Sequence, residues 1–223
     1  FLVRDRIPTE PLWRAYFDDA GAQWAATHTS LYVHATPGWT YPNGSLFAGR
    51  EITERARVHW GGFSVVKAEL ALLRAALRDA RNERFLLVSE SCAPVHALRC
   101  TYAYLFSTER SFVAHWNTTD RRDLYRFPAR AANASGAGGA ATTLTDGRVA
   151  AAWRKGHQWV ALTRAHATLV EPRDTFRQFS DAHVRSPAAQ TFGRKMHAGP
   201  ESIASVHHCF GDEHYVQTVL ALH

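Results

Sequence analysis

Apolar residues along the chain fall into short runs of strand length that alternate with stretches at helical spacing. Phe1, Leu2 and Val3 read as a strand, and after Pro8 the residues Leu12, Trp13, Tyr16 and Phe17 recur with the step of a helix that has a proline near its start. Leu31 to His34 predicts a second strand, and the stretch rich in Pro, Gly and Asn from Pro37 to Gly49 predicts a loop. Val58, His59 and Trp60 predict a short strand ending at Gly61 and Gly62. Ser64 stands where it would cap the next helix, in which Val66, Leu70, Leu73 and Leu77 make one buried stripe that ends near Arg81 and Asn82.

Phe85 to Val88 is a continuous apolar run, the pattern of a central strand covered on both faces. It leads into Ser89, Glu90, Ser91, Cys92 and Pro94, so polar side chains lie just past its carboxyl end, where open α/β sheets take their ligands. A helix from Leu98 to Leu105 and a strand from Ser111 to His115 come next. From Asn117 to Gly147 the chain turns polar and then rich in Ala and Gly, so residues 117–152 are expected to be a flexible insertion without assigned elements. Order resumes at Trp153 to Trp159, with one helix from Thr163 onward and another around Thr175 to Val184. A closing helix opens at Gly211, Asp212 and Glu213 and carries Val216, Val219 and Leu220 on its apolar face. Strands alternating with helices predict an α/β fold, a mostly parallel sheet sandwiched by helices in a single domain.

Composition narrows the class. With 223 residues, 46% of them hydrophobic and 12% aromatic, the chain can bury a full core. No run approaches the ~18 apolar residues of a membrane span, and the first residues do not make a signal peptide. The sequence reads as part of a longer chain, cut at both ends. Its net charge of +6 is spread out, with tight basic pairs at Arg121-Arg122, Arg154-Lys155 and Arg194-Lys195, so it predicts a basic surface with a local phosphate site and no nucleic-acid partner. Cys92, Cys100 and Cys209 permit one disulfide, with the pairing open. Acceptor sequons at Asn43, Asn117 and Asn133 favour a secretory lumen.

Candidate chemistry centres on the closing helix. Asp212 and Glu213 fall in its first turn, where the macrodipole favours an ionised carboxylate able to act as a general base; helix capping is the competing reading of the same pair. Glu213 lies one turn before Gln217, off the Val216 and Leu220 stripe, and is expected to point out of the core. His207, His208, Cys209 and His214 match neither the HExxH pattern nor a paired-cysteine site, so no metal is expected there. No GxSxG elbow is present. Nucleotide-sugar transferases that hold a metal use an Asp-x-Asp pair at a core strand end. The matching place here reads Ser89-Glu90-Ser91-Cys92, so if a sugar diphosphate is the donor, cationic side chains must offset the leaving-group charge.

Four segments, Trp60-Gly61-Gly62-Phe63-Ser64, Phe85 to Pro94, Trp153-Arg154-Lys155-Gly156-His157-Gln158-Trp159 and Cys209-Phe210-Gly211-Asp212-Glu213-His214-Tyr215, together resemble the core-2/I-branching enzyme family, glycosyltransferase family 14, and in particular its plant and algal branch. Their order and spacing agree, and the resemblance runs from Phe1 to the end of the chain, weakest between Asn117 and Ala152. It implies a GT-A fold, a UDP-sugar donor, inversion at the anomeric carbon, no divalent metal or other cofactor, and a type II membrane protein of the Golgi whose anchor lies outside this chain. The expected reaction moves GlcNAc or GlcA to a hydroxyl of a glycan or glycoprotein acceptor. The alternative is a catalytically inactive glycan- or nucleotide-binding fragment of the same fold.

Carried over residue by residue, the resemblance places the catalytic base at Glu213, with Asp212 orienting it, and donor contacts at Val3, Thr36, Trp60, Gln158 and Trp159. Glu90, at the end of the candidate central strand, joins them as a donor-binding candidate. Core packing is the competing role for Val3, Trp60 and Trp159. At Thr36 the animal branch has an aspartate, so this donor contact departs from the pattern. The family's diphosphate-binding basic residues fall beyond His223; either the chain is truncated before them, or Arg154, Lys155, Arg194 or Lys195 substitute.

Overall fold

The structure, a computed structural model, describes residues 1–60, 62–115, 152–172 and 211–223. Its elements are α1 (Glu10–Asp19), α2 (Ala22–His28), α3 (Phe63–Leu77), β1 (Arg84–Leu86), α4 (Leu98–Phe106), β2 (Ala161–Thr163), α5 (Arg164–Val170), a 3-10 turn (Gly211–Glu213) and α6 (Tyr215–Leu222). Two compact units divide the chain: Phe1–Arg57, Lys67–Phe112 and Trp159–Ala167 form the first, and Val58–Val66, Val113–Gln158 and Thr168–His223 the second.

In the first unit, short extended segments lie side by side. Leu2 bridges His34 on one side and Ser89 on the other, both in parallel sense, and Val33 bridges Glu51, also parallel. β1 pairs with β2 antiparallel, with Arg84 opposite Thr163 and Leu86 opposite Ala161. Phe112 bridges Ala161 on the far side of β2, again antiparallel. The arrangement is thus a mixture of helices with a small sheet, as an α/β reading requires. The expected mostly parallel sheet is not what the ladders show: among the described residues, parallel pairing exists only as isolated bridges. The physical reason is that each apolar run is cut short. Arg4-Asp5-Arg6, Thr36-Pro37-Gly38 and Glu90 to Pro94 follow closely on the bridged residues Leu2, His34 and Ser89, so each extended segment leaves its neighbour soon after pairing with it.

The core of this unit gathers Phe1, Val3, Ile7, Trp13, Val33, Ala35, Tyr41 and Phe47. The Phe1 ring meets Trp13 and Phe47 edge-on, each at a centroid distance of 4.9 Å, and burying such a side chain stabilises the fold by about 1.5–3 kcal/mol. α1 opens at Glu10, with Pro11 rather than Pro8 in its first turn, and it buries Trp13. Leu12 departs from the predicted face and is 53% exposed. Gly21 then takes φ +88°, a left-handed conformation that lets α2 begin at once.

Four expectations need correction. Val58, His59 and Trp60 form no strand. Ser64 sits inside α3 instead of capping it, and its hydroxyl accepts the His59 N–H at 2.8 Å. The helix buries far more than one stripe: Val65, Val66, Ala68, Glu69, Leu70, Ala71, Leu72 and Ala76 are all buried, so its first turns are covered on most sides. Its end is set from a distance. The Arg164 guanidinium donates to the carbonyl of Leu77, which the helix end leaves open, and to those of Asp79 and Asn82 just beyond it, at 2.8–3.0 Å. β1 also differs from the two-faced central strand expected, since Phe85 is buried while Leu86 is 45% exposed.

In the second unit, α6 is buried on nearly every side, with Tyr215, Val216, Gln217, Thr218 and Val219 all covered. The Tyr215 hydroxyl donates to the Val170 carbonyl at 2.8 Å, and burial pushes that phenol's pKa well above its ordinary value. No helix among the described residues is long and apolar enough to cross a membrane. The predicted insertion, the helix around Thr175 to Val184, and Asn117, Asn133, Arg194, Lys195, His207, His208 and Cys209 lie outside the described residues.

Candidate active site

The second unit brings two of the sequence motifs onto one another. The segment Arg154 to His157 runs along the start of α6 and is fastened to it through main-chain groups. Gly156 donates its N–H to the Glu213 carbonyl at 2.8 Å, and the Arg154 N–H donates to the Thr218 hydroxyl at 3.1 Å. The His214 Nδ1 bonds the Arg154 carbonyl at 2.9 Å, and Gln217 Nε2 donates to the His157 carbonyl at 2.7 Å. Trp153 stacks on the His214 ring at 4.4 Å. The approach is so close that only glycine fits at position 156, where a Cβ would stand 1.9 Å from the Ala114 carbonyl oxygen.

This clamp holds the carboxylate pair. Asp212 and Glu213 occupy a 3-10 turn, and α6 begins only at Tyr215 with His214 as its cap residue, so the pair precedes the helix rather than forming its first turn. Glu213 is half-buried, and its Oε2 lies 3.4 Å from the Lys155 ammonium. Asp212 is more enclosed, and its Oδ1 makes no hydrogen bond within the described residues. Burial pushes its carboxyl up to about 6, the Glu213 charge adds to the rise, and hydrogen bonds from the backbone N–H groups of residues 212 and 213 oppose it. At Asp212 loss of hydration thus works against the macrodipole and moves the carboxyl towards neutral pH without crossing it.

A raised folded-state pKa stabilises the fold only while the group stays protonated. That contribution is fully present below the ordinary carboxylate range and disappears as the pH rises through about 6. Asp212→Asn is accordingly expected to match the parent in urea denaturation near pH 4 and to become progressively more stable than it towards pH 7. A stability difference that does not change over that interval would show that burial leaves the carboxyl unshifted.

At the strand ends of the first unit, Val3, Thr36 and Glu90 come together as the parallel bridges require. Thr36 is exposed and donates its N–H to the Arg4 carbonyl at 2.9 Å, and the Arg4 side chain bonds Glu90 Oε1 at the same distance. The Thr9 hydroxyl donates to the Glu90 and Cys92 carbonyls, and the Trp13 indole N–H also reaches Cys92. The Val3 side chain belongs to the core, so any ligand contact there falls to its main chain. Arg4 was not legible as a partner of Glu90, because the two are remote in sequence and only the parallel bridges make them neighbours.

Comparison with known proteins places the chain as a whole. The sequence profile described as Core-2/I-Branching enzyme matches residues 1–223, the whole chain. The chain belongs to this Core-2/I-Branching enzyme family. Among curated proteins it is 33% identical over 230 residues to Glycosyltransferase BC10 of Oryza sativa subsp. japonica, covering 100% of this chain and 52% of that protein. It thus spans about half the length of the curated relative it matches. Membership in the Core-2/I-Branching family supports a glycosyltransferase.

The remaining candidates in this family member divide between the units. Trp60 and Gln158 belong to the second unit and Trp159 to the first. Trp60 is 76% exposed and Trp159 40%, so neither is a core residue, and the packing role weighed for each is set aside. Arg154 is fixed at its main chain, with its guanidinium donating to the Trp153 carbonyl, and Lys155 faces Glu213. Cys92 and Cys100 are free thiols. Asn43 is exposed on a turn.

Proposed function

We propose that this chain carries the acid–base end of an inverting, metal-independent glycosyltransferase of GT-A fold. It would move GlcNAc or GlcA from a UDP-sugar to a hydroxyl of a glycan or glycoprotein. The observation that carries the reading is the half-buried Glu213 carboxylate, held by a clamp of main-chain hydrogen bonds on a turn before α6. A base needs that combination of fixed position and access. In the reaction the acceptor hydroxyl gives its proton to Glu213, its oxygen forms the new bond to the sugar C1, and the C1–phosphate oxygen bond breaks with its electron pair leaving on UDP. Asp212 orients the turn. The resemblance assigns the donor to Val3, Thr36, Trp60, Gln158 and Trp159; Glu90 is a further donor-binding candidate, and Arg154 a cationic candidate for the diphosphate.

Metal independence is supported by the Ser89-Glu90-Ser91 sequence at the place where metal-dependent nucleotide-sugar transferases carry an acidic pair. A Golgi lumenal setting with a membrane anchor is what the family resemblance implies, and glycosylation at Asn43, Asn117 and Asn133 would accord with it. The test is UDP release by the full-length protein, offered UDP-GlcNAc or UDP-GlcA with a β-galactoside acceptor, with and without EDTA. Acceptor-dependent release that survives EDTA is expected from one of the two donors. UDP binding without such release would favour the inactive binding fragment, and loss of activity with EDTA would remove the metal-free mechanism.

A further inference from the structure

We infer that Lys155 is a positioning residue for the base at Glu213 and is not a ligand of the donor diphosphate; the inference rests on the proposed role of Glu213. Basic residues beside a glycine in a transferase invite a phosphate-binding role, and the sequence alone leaves Lys155 open to it. The geometry points elsewhere. Lys155 lies between two anchored neighbours: Arg154 is tied to Thr218 and His214, and Gly156 to the Glu213 carbonyl. Its main chain therefore cannot shift without undoing the clamp, and from that fixed origin its ammonium sits 3.4 Å from Glu213 Oε2.

The two side chains are only 22% and 34% exposed, so water and salt screen the pair less than they would a surface pair. At 3.4 Å the contact is also longer than the 2.7–2.9 Å of a tight charge-assisted hydrogen bond. Such a pair draws the carboxylate into one orientation by Coulomb attraction while leaving its lone pairs to accept a proton. Among the described residues, the charged and titratable groups of the clamp are Asp212 and His214 on either side of Glu213, and Arg154, Lys155 and His157 on the segment fastened to α6. Among these cations, the ion pair with Glu213 is that of Lys155.

The experiment compares Lys155→Met and Lys155→Arg with the parent in the full-length protein, with kcat and donor KM from acceptor-dependent UDP release and UDP affinity by calorimetry. Lys155→Met is expected to lower kcat by about 10- to 100-fold, the range that misplacing a reacting group produces, with donor KM and UDP affinity unchanged. Lys155→Arg should recover most of the loss, which a merely structural role would not predict. On a Glu213→Gln background, Lys155→Met should cost nothing further. Weakened UDP binding with kcat retained would make Lys155 a diphosphate ligand and overturn the inference. A parental kcat in Lys155→Met, with Glu213→Gln inactive, overturns it while leaving the base in place. Activity retained in Glu213→Gln itself removes the base and this inference together.

Discussion

Glu213→Gln is expected to lower kcat for sugar transfer by about 10²–10⁴-fold, the usual worth of a positioned general base. The substitution keeps the shape of the side chain and removes its capacity to take a proton. Little else should change. The clamp reaches position 213 through its carbonyl, which accepts from the Gly156 N–H whatever the side chain is. The side chain itself is 34% exposed and its ion pair is with Lys155, so its neutralisation leaves no deeply buried charge stranded. Circular dichroism and thermal unfolding should match the parent, and UDP affinity should be retained. Transfer at the parental rate by a folded variant would end the assignment of Glu213 as base.

The largest structural effect is expected from Gly156→Ala. A methyl group there would stand 1.9 Å from the Ala114 carbonyl oxygen and 2.8 Å from both Cγ and Nε2 of Gln217. Gln217 is buried and engaged with the His157 carbonyl, and Ala114 presents backbone, so neither contact can be relieved by turning a flexible side chain. Either the segment withdraws from α6 or α6 shifts. Both routes break the bonds from Gly156 to Glu213 and from Gln217 to His157. Overpacking of this kind costs about 1–3 kcal/mol, and at roughly 2–4 °C per kcal/mol for a chain of this size the fall in Tm is on the order of 10 °C.

Because the same bonds set the position of Glu213, transfer should fail in Gly156→Ala even at temperatures where the variant remains folded. Gly211→Ala provides the comparison. Its added methyl would meet the Phe63 ring at 3.0–3.1 Å and Val66 at 3.3 Å, side chains that can yield by tenths of an ångström. Differential scanning calorimetry of the two variants should separate them clearly. Equal, small shifts would mean that the clamp is looser than its hydrogen bonds indicate.

Most of the helices were legible in the sequence, α2 (Ala22–His28) excepted. α1, α4, α5 and α6 stand where apolar spacing places them, and α3 runs where Val66, Leu70, Leu73 and Leu77 mark it. A helix satisfies its own backbone within a few residues, so its signal is local and survives in one-dimensional form. The family, too, was legible, because Trp153 to Trp159 and Cys209 to Tyr215 are conspicuous strings in fixed order. The same locality explains the failures. Ser64 looks like a cap because serine before an apolar run usually is one, yet its hydroxyl is claimed by His59. Trp60 resembles strand and core by composition, and only its surroundings leave it exposed.

By itself, then, the amino-acid order determined where the chain coils, where glycine and proline interrupt it, which family it joins and which carboxylate is the candidate base. Only the tertiary structure decided the sense of strand pairing, the buried state that lifts the Asp212 carboxyl to about 6, and the meeting of Lys155 with Glu213. The division has a physical cause: a helix is specified by neighbours three and four residues away, whereas a sheet register, a desolvated acid and an ion pair depend on what distant segments deliver to the same place.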